Sequence, residues 1–145
     1  TDAVLDVACG AGAVACAAAR VARQVTGIDL TPAMTRRAAA LQAELCLPNM
    51  EWIVGDVSRL PLLANQFDVV VTRYSLHHFQ RPAEVVAEIA RVCRPGGRVA
   101  VADLVLPQEK VAATAAATAA AKRIADTRFE FRQAIVRTAS TCERT

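Results

Sequence analysis

An acid and two glycines lie close together near the start of the sequence, in the segment DVACGAG at residues 6–12. Gly10 and Gly12 permit a sharp turn and let a ligand approach backbone N–H groups at the start of a helix. The continuation to Ala15 also fits the dinucleotide-binding pattern G-x-G-x-x-G/A. The loop therefore indicates a nucleotide-like ligand without saying which one.

Three further polar features follow along the chain. Asp29 comes roughly 20 residues after the glycines, a spacing at which a carboxylate can accept both hydroxyls of a ribose. Asp56 follows Gly55, and residues 73–78 (RYSLHH) form a polar loop with two histidines. Each feature comes at or near the end of an apolar segment, so a fold that brings those ends together would bring these groups together.

The apolar segments predict five strands that alternate with helices. The strands are expected at residues 4–8, 24–29, 50–54, 67–72 and 98–104, and the helices at 13–22, 31–45 and 83–93. Thr31 and Pro32 predict the N-cap and first residue of the second helix. Near-continuous apolar strands separated by helices imply a doubly wound parallel sheet, an α/β fold. Ligands bind such sheets beyond the carboxyl ends of the strands, where the strand order reverses.

The acid in the first strand separates two classes of ligand. A nicotinamide dinucleotide would place its pyrophosphate on the glycine loop, where the carboxylate of Asp6 would repel it. A nucleoside that carries an ammonium and a sulfonium group would be attracted. Asp6, Asp29 and Asp56 around one crevice therefore favour a positively charged nucleoside.

Composition excludes several other classes of protein. Apolar residues make up 54% and charged residues 21% of the sequence, which is too apolar for a disordered chain. No uninterrupted apolar run reaches about 18 residues, so no membrane span is predicted. The net charge of +3 is small and the basic residues are not clustered, so no nucleic-acid partner is predicted. The five cysteines form no C-x-x-C pair, which predicts no metal site and favours reduced thiols in the cytoplasm.

Six motifs in order resemble the class I S-adenosylmethionine-dependent methyltransferases, in particular the small-molecule branch that includes the ubiquinone/menaquinone C-methyltransferases. They lie at residues 4–12, 25–34, 55–61, 67–70, 75–79 and 91–97. The resemblance implies a Rossmann-like methyltransferase fold, S-adenosylmethionine as cofactor and S-adenosylhomocysteine as its product. It also implies an enzyme that transfers a methyl group to a small-molecule acceptor by in-line displacement from the sulfonium.

The resemblance further implies which residues bind the cofactor. Those that hold the methionine part are in and beside the glycine loop: Asp6, Ala8, Gly10 and Gly12. Asp29 binds the ribose hydroxyls. Those that line the adenine and the methyl group are Leu30 and Met34 at the adenine face, Asp56 and Val57 at its polar edge, and Arg73, by its backbone, beside the methyl group.

The catalytic side chains stay unassigned, because an activated methyl group needs mainly alignment with its acceptor. His77 and His78 are candidates for a base, and the alternative is that the pair belongs to the structure of its own loop. Tyr74 either contacts the substrate or packs under that loop. Cys9 is expected to be a packed residue rather than a nucleophile.

Residues 1–106 are expected to form the cofactor-binding core, and residues 107–145 an alanine-rich, mostly helical tail of the same domain. Residues 129–136 fit either a short strand or a helix. The N-terminal helices and the last antiparallel strands of the family are expected to be lacking. The edge of the fifth strand would then associate with a second copy of the chain unless tail helices cover it.

Two alternative functions stay open at this point. A truncated or degenerate relative would bind the cofactor without turnover, which the lacking elements favour. An NAD-dependent oxidoreductase is supported only by the glycine spacing.

Overall fold

Six parallel strands form one sheet in the order β3-β2-β1-β4-β5-β6. The computed structural model describes residues 2–103 and the backbone of residues 128–133. The elements in chain order are β1 (Ala3–Val7), α1 (Ala13–Ala19), β2 (Gln24–Asp29), α2 (Pro32–Glu44), β3 (Met50–Val54), β4 (Phe67–Arg73), a 3-10 helix (Leu76–His78), α3 (Pro82–Val92), β5 (Cys93–Asp103) and β6 (Arg128–Gln133). The predicted doubly wound α/β fold is confirmed.

The core is divided between the two faces of the sheet, because successive strand residues point to opposite sides. Leu5 and Val7 of β1 face the side covered by α3, which buries the helical stripe Val85, Val86, Ile89 and Val92. Val4 faces the side covered by α1 and packs with Ala15 and Cys16. Full burial of each large apolar side chain stabilises the fold by roughly 1.5–3 kcal/mol.

The order of the strands reverses between β1 and β4. From β1 the chain proceeds outward through β2 to β3, whereas β4 lies on the other side of β1 and leads outward to β5 and β6. Val4, Leu5 and Asp6 pair with residues 69–71 of β4. The crevice beyond the carboxyl ends of β1 and β4 is therefore the place where this fold binds ligands.

Element boundaries agree with the sequence prediction to within a few residues, with two local differences. Thr31 occupies the N-cap position of α2 without a side-chain cap bond, and its backbone N–H instead donates to Asp29 Oδ1 at 2.9 Å. β5 begins earlier than predicted, at Cys93, which pairs with Phe67. Residues 94–97, which lie between the predicted helix 83–93 and the predicted strand 98–104, belong to β5, where the pairing with β4 is irregular.

The expectation of an open edge at β5 is wrong. β6 pairs with β5 in parallel, from Arg98 opposite Arg128 to Asp103 opposite Gln133. The backbone hydrogen-bonding groups of β5 are thus covered by a strand of the same chain, so residues 129–133 of the ambiguous segment 129–136 form a strand, and residues 134–136 lie outside the described ranges. The other residues of the predicted helical tail lie outside the described ranges. Within residues 2–103 and 128–133, no helix is both long enough and apolar enough to cross a membrane.

Candidate functional site

The turn after β1 adopts left-handed backbone conformations. The φ angles are 57° at Ala8, 54° at Gly10 and 83° at Gly12. A Cβ atom on Gly12 would lie 2.8 Å from Ala38 Cβ and 2.8 Å from Trp52 Cη2, whereas one on Gly10 would meet nothing within 4 Å. Gly12 is therefore required for packing against α2 and β3, and Gly10 leaves open space above the turn.

Asp29 ties this turn to the neighbouring strands. Its Oδ2 accepts a hydrogen bond from the Gly10 backbone N–H at 2.9 Å, and its Oδ1 accepts one from Thr31 N–H at 2.9 Å. Its backbone carbonyl accepts the N–H of Gly55, which follows β3, at 3.0 Å. The ends of β1, β2 and β3 are thus joined at one acid.

Asp6 lies deeper than the other two predicted acids. It is 2% exposed and pairs with Gly27, two residues before Asp29 on β2. Its Oδ2 has no hydrogen-bond partner among the described residues. Burial raises the pKa of Asp6 from 3.8 to about 7, opposed by a hydrogen bond from the Ala15 backbone. The expected ring of three carboxylates around the crevice therefore consists of Asp29 and Asp56, with Asp6 buried behind them.

The residues predicted to surround an adenine follow β2 and β3. Leu30 is 67% exposed, and Met34 is half-buried on α2. Asp56 is exposed, and its Oδ1 accepts both the N–H and the hydroxyl of Ser58 at 2.8 Å. These bonds hold the pKa of Asp56 below its usual value. Val57 directs its side chain into the core instead, at 4% exposure.

The segment after β4 is anchored to both of its neighbouring strands. The Tyr74 N–H donates to the carbonyl of Ala102 on β5 at 2.8 Å, and the Thr72 hydroxyl donates to the carbonyl of Val7 on β1 at 2.8 Å. The oxygens of Thr72 and Ser75 are 2.5 Å apart. Because the only hydroxyl hydrogen of Thr72 is used toward Val7, Ser75 is the donor in that pair.

Tyr74 stands in an unusual conformation at this edge. Its φ of 55° is left-handed, a strain that costs of order 1–3 kcal/mol and is often found at functional sites. The side chain is 40% exposed, and the Arg73 guanidinium lies over its ring, 4.8 Å from the centroid. Tyr74 therefore does not pack under the loop.

His77 contacts a buried acid that the sequence prediction did not include. Asp103, the last residue of β5, is 1% exposed. Its Oδ1 lies 2.5 Å from His77 Nδ1, and its Oδ2 accepts the Leu76 N–H at 2.6 Å. His78 is exposed, and its ring centroid lies 3.9 Å from that of His77. The signal that could have identified Asp103 is its position at the end of a strand, the same property that pointed to Asp29.

Cys9 lies beside Gly10 without the character of a nucleophile. Burial, reinforced by the negative charges of Asp6 and Asp29, raises the pKa of Cys9 to about 12. A thiol of this kind is almost entirely protonated near neutral pH. Among residues 2–103 and 128–133, no group of three or more His, Cys, Asp or Glu side chains could hold a metal ion.

Comparisons with known proteins relate the chain to methyltransferases. A family model described as a methyltransferase domain matches residues 5–101. The uncharacterized methyltransferase YcgJ of Bacillus subtilis is 32% identical over 108 residues, covering 74% of this chain and 43% of that protein. The ubiquinone biosynthesis O-methyltransferase of Albidiferax ferrireducens is 41% identical over 99 residues, covering 66% of this chain and 38% of that enzyme.

Solved structures give the same result for the fold. The crystal structure of YcgJ superposes with a TM-score of 0.66 and 33% identity, over 68% of this chain and 42% of that one. The [4+2]-cyclase SpnF superposes with a TM-score of 0.70 and 28% identity, over 80% of this chain and 51% of that one. The chain spans less than half the length of the two curated relatives above.

Proposed function

The chain belongs to the class I S-adenosylmethionine-dependent methyltransferases, and on this premise we propose that it transfers a methyl group from S-adenosylmethionine to a small-molecule acceptor. S-adenosylhomocysteine would be the product. The observation that carries the proposal is the placement of the acids Asp29 and Asp56 at the carboxyl ends of the adjacent strands β2 and β3, beside the glycine turn that follows β1. A cationic nucleoside is attracted by such a set of charges, and a pyrophosphate is repelled.

The residues at this edge fit the methionine and ribose parts of the cofactor. The space above Gly10 is open to a ligand. Oδ2 of Asp6, in the strand that leads into the same turn, has no hydrogen-bond partner among the described residues. Asp29 already accepts two backbone N–H groups, but each carboxylate oxygen has two lone pairs, so it can also accept ribose hydroxyls. Gly12 and Ala8 shape the turn that would hold the methionine part.

The other predicted contacts would surround the base and the methyl group. Leu30 offers an exposed apolar surface for the adenine ring, with Met34 nearby on α2. Asp56 would accept the adenine amino group, and the Val57 N–H would donate to the ring. The Arg73 backbone, at the end of β4, would lie beside the methyl group.

We propose in-line displacement as the reaction. The chain's main contribution is to align the acceptor, the methyl carbon and the sulfur, and alignment of this kind can lower a barrier by roughly 7–11 kcal/mol. The anchoring of the β4 loop to β1 and β5 through Thr72 and Tyr74 would support that alignment, because it keeps this side of the crevice rigid.

The names of two relatives support a small-molecule acceptor. One is the ubiquinone biosynthesis O-methyltransferase, and the other is the phthiotriol/phenolphthiotriol dimycocerosates methyltransferase of Mycobacterium leprae, 37% identical over 110 residues. Cytoplasmic location stays a prediction, supported by the free thiols of Cys9, Cys16, Cys46 and Cys93.

The proposal is tested by titration calorimetry of the 145-residue chain with S-adenosylhomocysteine, S-adenosylmethionine and NAD. We expect micromolar binding of the first two and none of NAD, with a rise in melting temperature that follows ligand concentration. Asp68→Asn is the matched control for substitutions of the acids at this site. Asp68 also accepts a backbone N–H but lies at the opposite end of β4, so this variant should bind the cofactor as the unsubstituted chain does. Binding of NAD instead would support the oxidoreductase alternative.

A second candidate function is cofactor binding without methyl transfer. The observation in its favour is the structural similarity to SpnF, which is named a [4+2]-cyclase although it shares this fold. Radiolabelled methyl donor, incubated with the chain and a panel of acceptors, distinguishes the two. Any labelled product above the level of a control without the protein rejects the second candidate.

A further inference from the structure

We propose that His77 is the general base of the methyl transfer, that Asp103 is its positioning residue, and that the acceptor is therefore a phenolic or enolic hydroxyl. The inference rests on the proposed function and adds to it the class of acceptor. It is carried by the contact between the two side chains at the end of β5.

The contact determines which nitrogen of His77 carries the hydrogen. Asp103 Oδ1 lies 2.5 Å from His77 Nδ1, and Asp103 Oδ2 accepts the N–H of Leu76. A carboxylate only accepts hydrogen bonds, so the nitrogen that faces it must be the donor. The hydrogen therefore belongs to Nδ1, and Nε2 of a neutral His77 has the lone pair that a base needs.

Burial of the acid makes this arrangement specific. Asp103 is 1% exposed and His77 23% exposed at the side chain. A buried carboxylate stabilises a positive charge on a neighbouring imidazole more strongly than it would in water. His78 is exposed and makes no carboxylate contact within the described part of the chain. Of the two histidines, only His77 therefore has an acid that positions its ring.

The position of His77 suits a reaction at the crevice. It belongs to the 3-10 helix Leu76–His78 directly after β4, on the segment that Thr72 and Tyr74 attach to β1 and β5. Asp103 attaches the same segment through Leu76. Three neighbouring strand ends thus hold His77 at the edge of the sheet where the glycine turn also lies.

The proposed step balances in atoms and charge. The acceptor O–H gives its proton to Nε2 of His77, and its electron pair forms the new O–CH₃ bond. The C–S bond breaks with its electron pair remaining on sulfur, which becomes a neutral thioether. The resulting imidazolium is stabilised by Asp103 and later returns its proton to solvent.

The chemistry of the base selects the class of acceptor. A thiolate already has a free lone pair and needs no base, and the same holds for an aromatic tertiary amine such as pyridine, which is unprotonated near neutral pH. A phenol or enol holds its proton with a pKa of about 10 or below, within reach of an imidazole, and general-base catalysis is worth about 10²- to 10⁴-fold.

Two substitutions at His77 separate a catalytic role from a structural one. In His77→Asn the amide nitrogen lies near the position of Nδ1, so the bond to Asp103 can persist while Nε2 is lost. In His77→Gln the amide lies near Nε2 and the bond to Asp103 is lost. A base role predicts that both variants lose at least 100-fold in kcat, whereas a purely structural role predicts that His77→Asn keeps its rate.

Nitrogen NMR of the imidazole supplies a readout that needs no acceptor. In the chain saturated with S-adenosylhomocysteine at pH 8, we expect His77 to be the Nδ1–H tautomer, and Asp103→Asn to shift it toward the Nε2–H tautomer, because the Asn amide would donate to Nδ1. Asp68→Asn is the control and leaves the tautomer unchanged. An Nε2–H tautomer in the unsubstituted chain overturns the inference.

Turnover is then measured with radiolabelled donor and a probe set of 4-nitrophenol, catechol and a cyclic 1,3-diketone, beside a thiol and a tertiary amine. Methylation of an oxygen probe that His77→Asn loses, with unchanged cofactor affinity, supports the inference. Methylation of the thiol or amine probe alone, an undiminished rate in His77→Asn, or cofactor binding without methylation of any oxygen probe overturns it. Failure of the unsubstituted chain to bind the cofactor overturns the proposed function itself.

Discussion

Asp29 and Gly10 are joined by a hydrogen bond of 2.9 Å from the Gly10 N–H to the Asp29 carboxylate. The bond connects the end of β2 to the turn after β1. A single acid therefore supports the shape of the glycine turn and, under the proposed function, binds the ribose. Loss of the side chain should affect both the order of the turn and the affinity for the nucleoside.

Asp29→Ala is expected to weaken S-adenosylhomocysteine binding by at least tenfold and to speed hydrogen exchange of the Gly10 amide. The amide loses its acceptor, and a bond to a charged group is worth about 1.5–3 kcal/mol. Calorimetry and hydrogen-exchange mass spectrometry measure the two effects. Unchanged exchange at residues 8–12 would contradict the structural role, whereas unchanged affinity would contradict the ribose role.

Asp6→Asn is expected to stabilise the ligand-free chain as pH rises. The pKa of Asp6 is raised from 3.8 to about 7 by burial, so the native state binds this proton more tightly than the unfolded state. The stability from this group is fully present below about pH 4 and is lost as pH rises toward 7, at about 1.4 kcal/mol per pH unit. Asn, which cannot ionise, avoids that loss.

Urea unfolding of the Asp6→Asn variant and of the unsubstituted chain, between pH 5 and pH 8, measures the difference between their free energies of unfolding. The free energy of unfolding of Asp6→Asn should rise relative to that of the unsubstituted chain by roughly 2.5–3 kcal/mol between pH 5 and pH 8, with most of the rise below pH 7. A difference that does not change with pH would contradict the raised pKa.

Gly12→Ala should destabilise the chain more than Gly10→Ala. Both positions have positive φ, which costs an alanine about 1–2 kcal/mol. At Gly12 the new methyl group also meets Ala38 and Trp52 at 2.8 Å, and overpacking adds typically 1–3 kcal/mol. Chemical denaturation of the two variants measures the difference, and equal losses would contradict the close packing at Gly12.

Cys9 should react with iodoacetamide at pH 8 at least tenfold more slowly than Cys46. Its pKa is raised to about 12 by burial and nearby acids, whereas Cys46 is exposed on the surface. Peptide mass spectrometry follows each site, and reaction in urea is the control, where the two rates should converge. Fast labelling of Cys9 in the folded chain would indicate a reactive thiol.

The histidine loop shows how far sequence reasoning reached at this site. The sequence pointed to RYSLHH as a polar loop after a strand, and the structure places it there. It did not pair His77 with Asp103, because the two residues are separated by 26 positions and meet only through the pairing of β4 with β5. Burial of Asp6 was missed for a similar reason, since a one-dimensional pattern does not report depth within a sheet.

The edge of the sheet gives a second example. Residues 129–136 carry apolar residues compatible with both a strand and a helix, and pairing with β5 makes Arg128–Gln133 the strand β6. The extent of β5 also depended on its partner, since Cys93 joins the strand by pairing with Phe67.

The chain's own pattern of apolar runs, glycines and prolines determined the alternating strands and helices, because those preferences act over a few neighbouring residues. It also determined which acids end the strands. The tertiary structure decided how deep Asp6 lies, which hydrogen bonds Asp29 makes, and that Asp103 supports His77. Such contacts join residues far apart in the chain, and their burial and distances exist only once the parallel sheet has brought the strand ends to one edge.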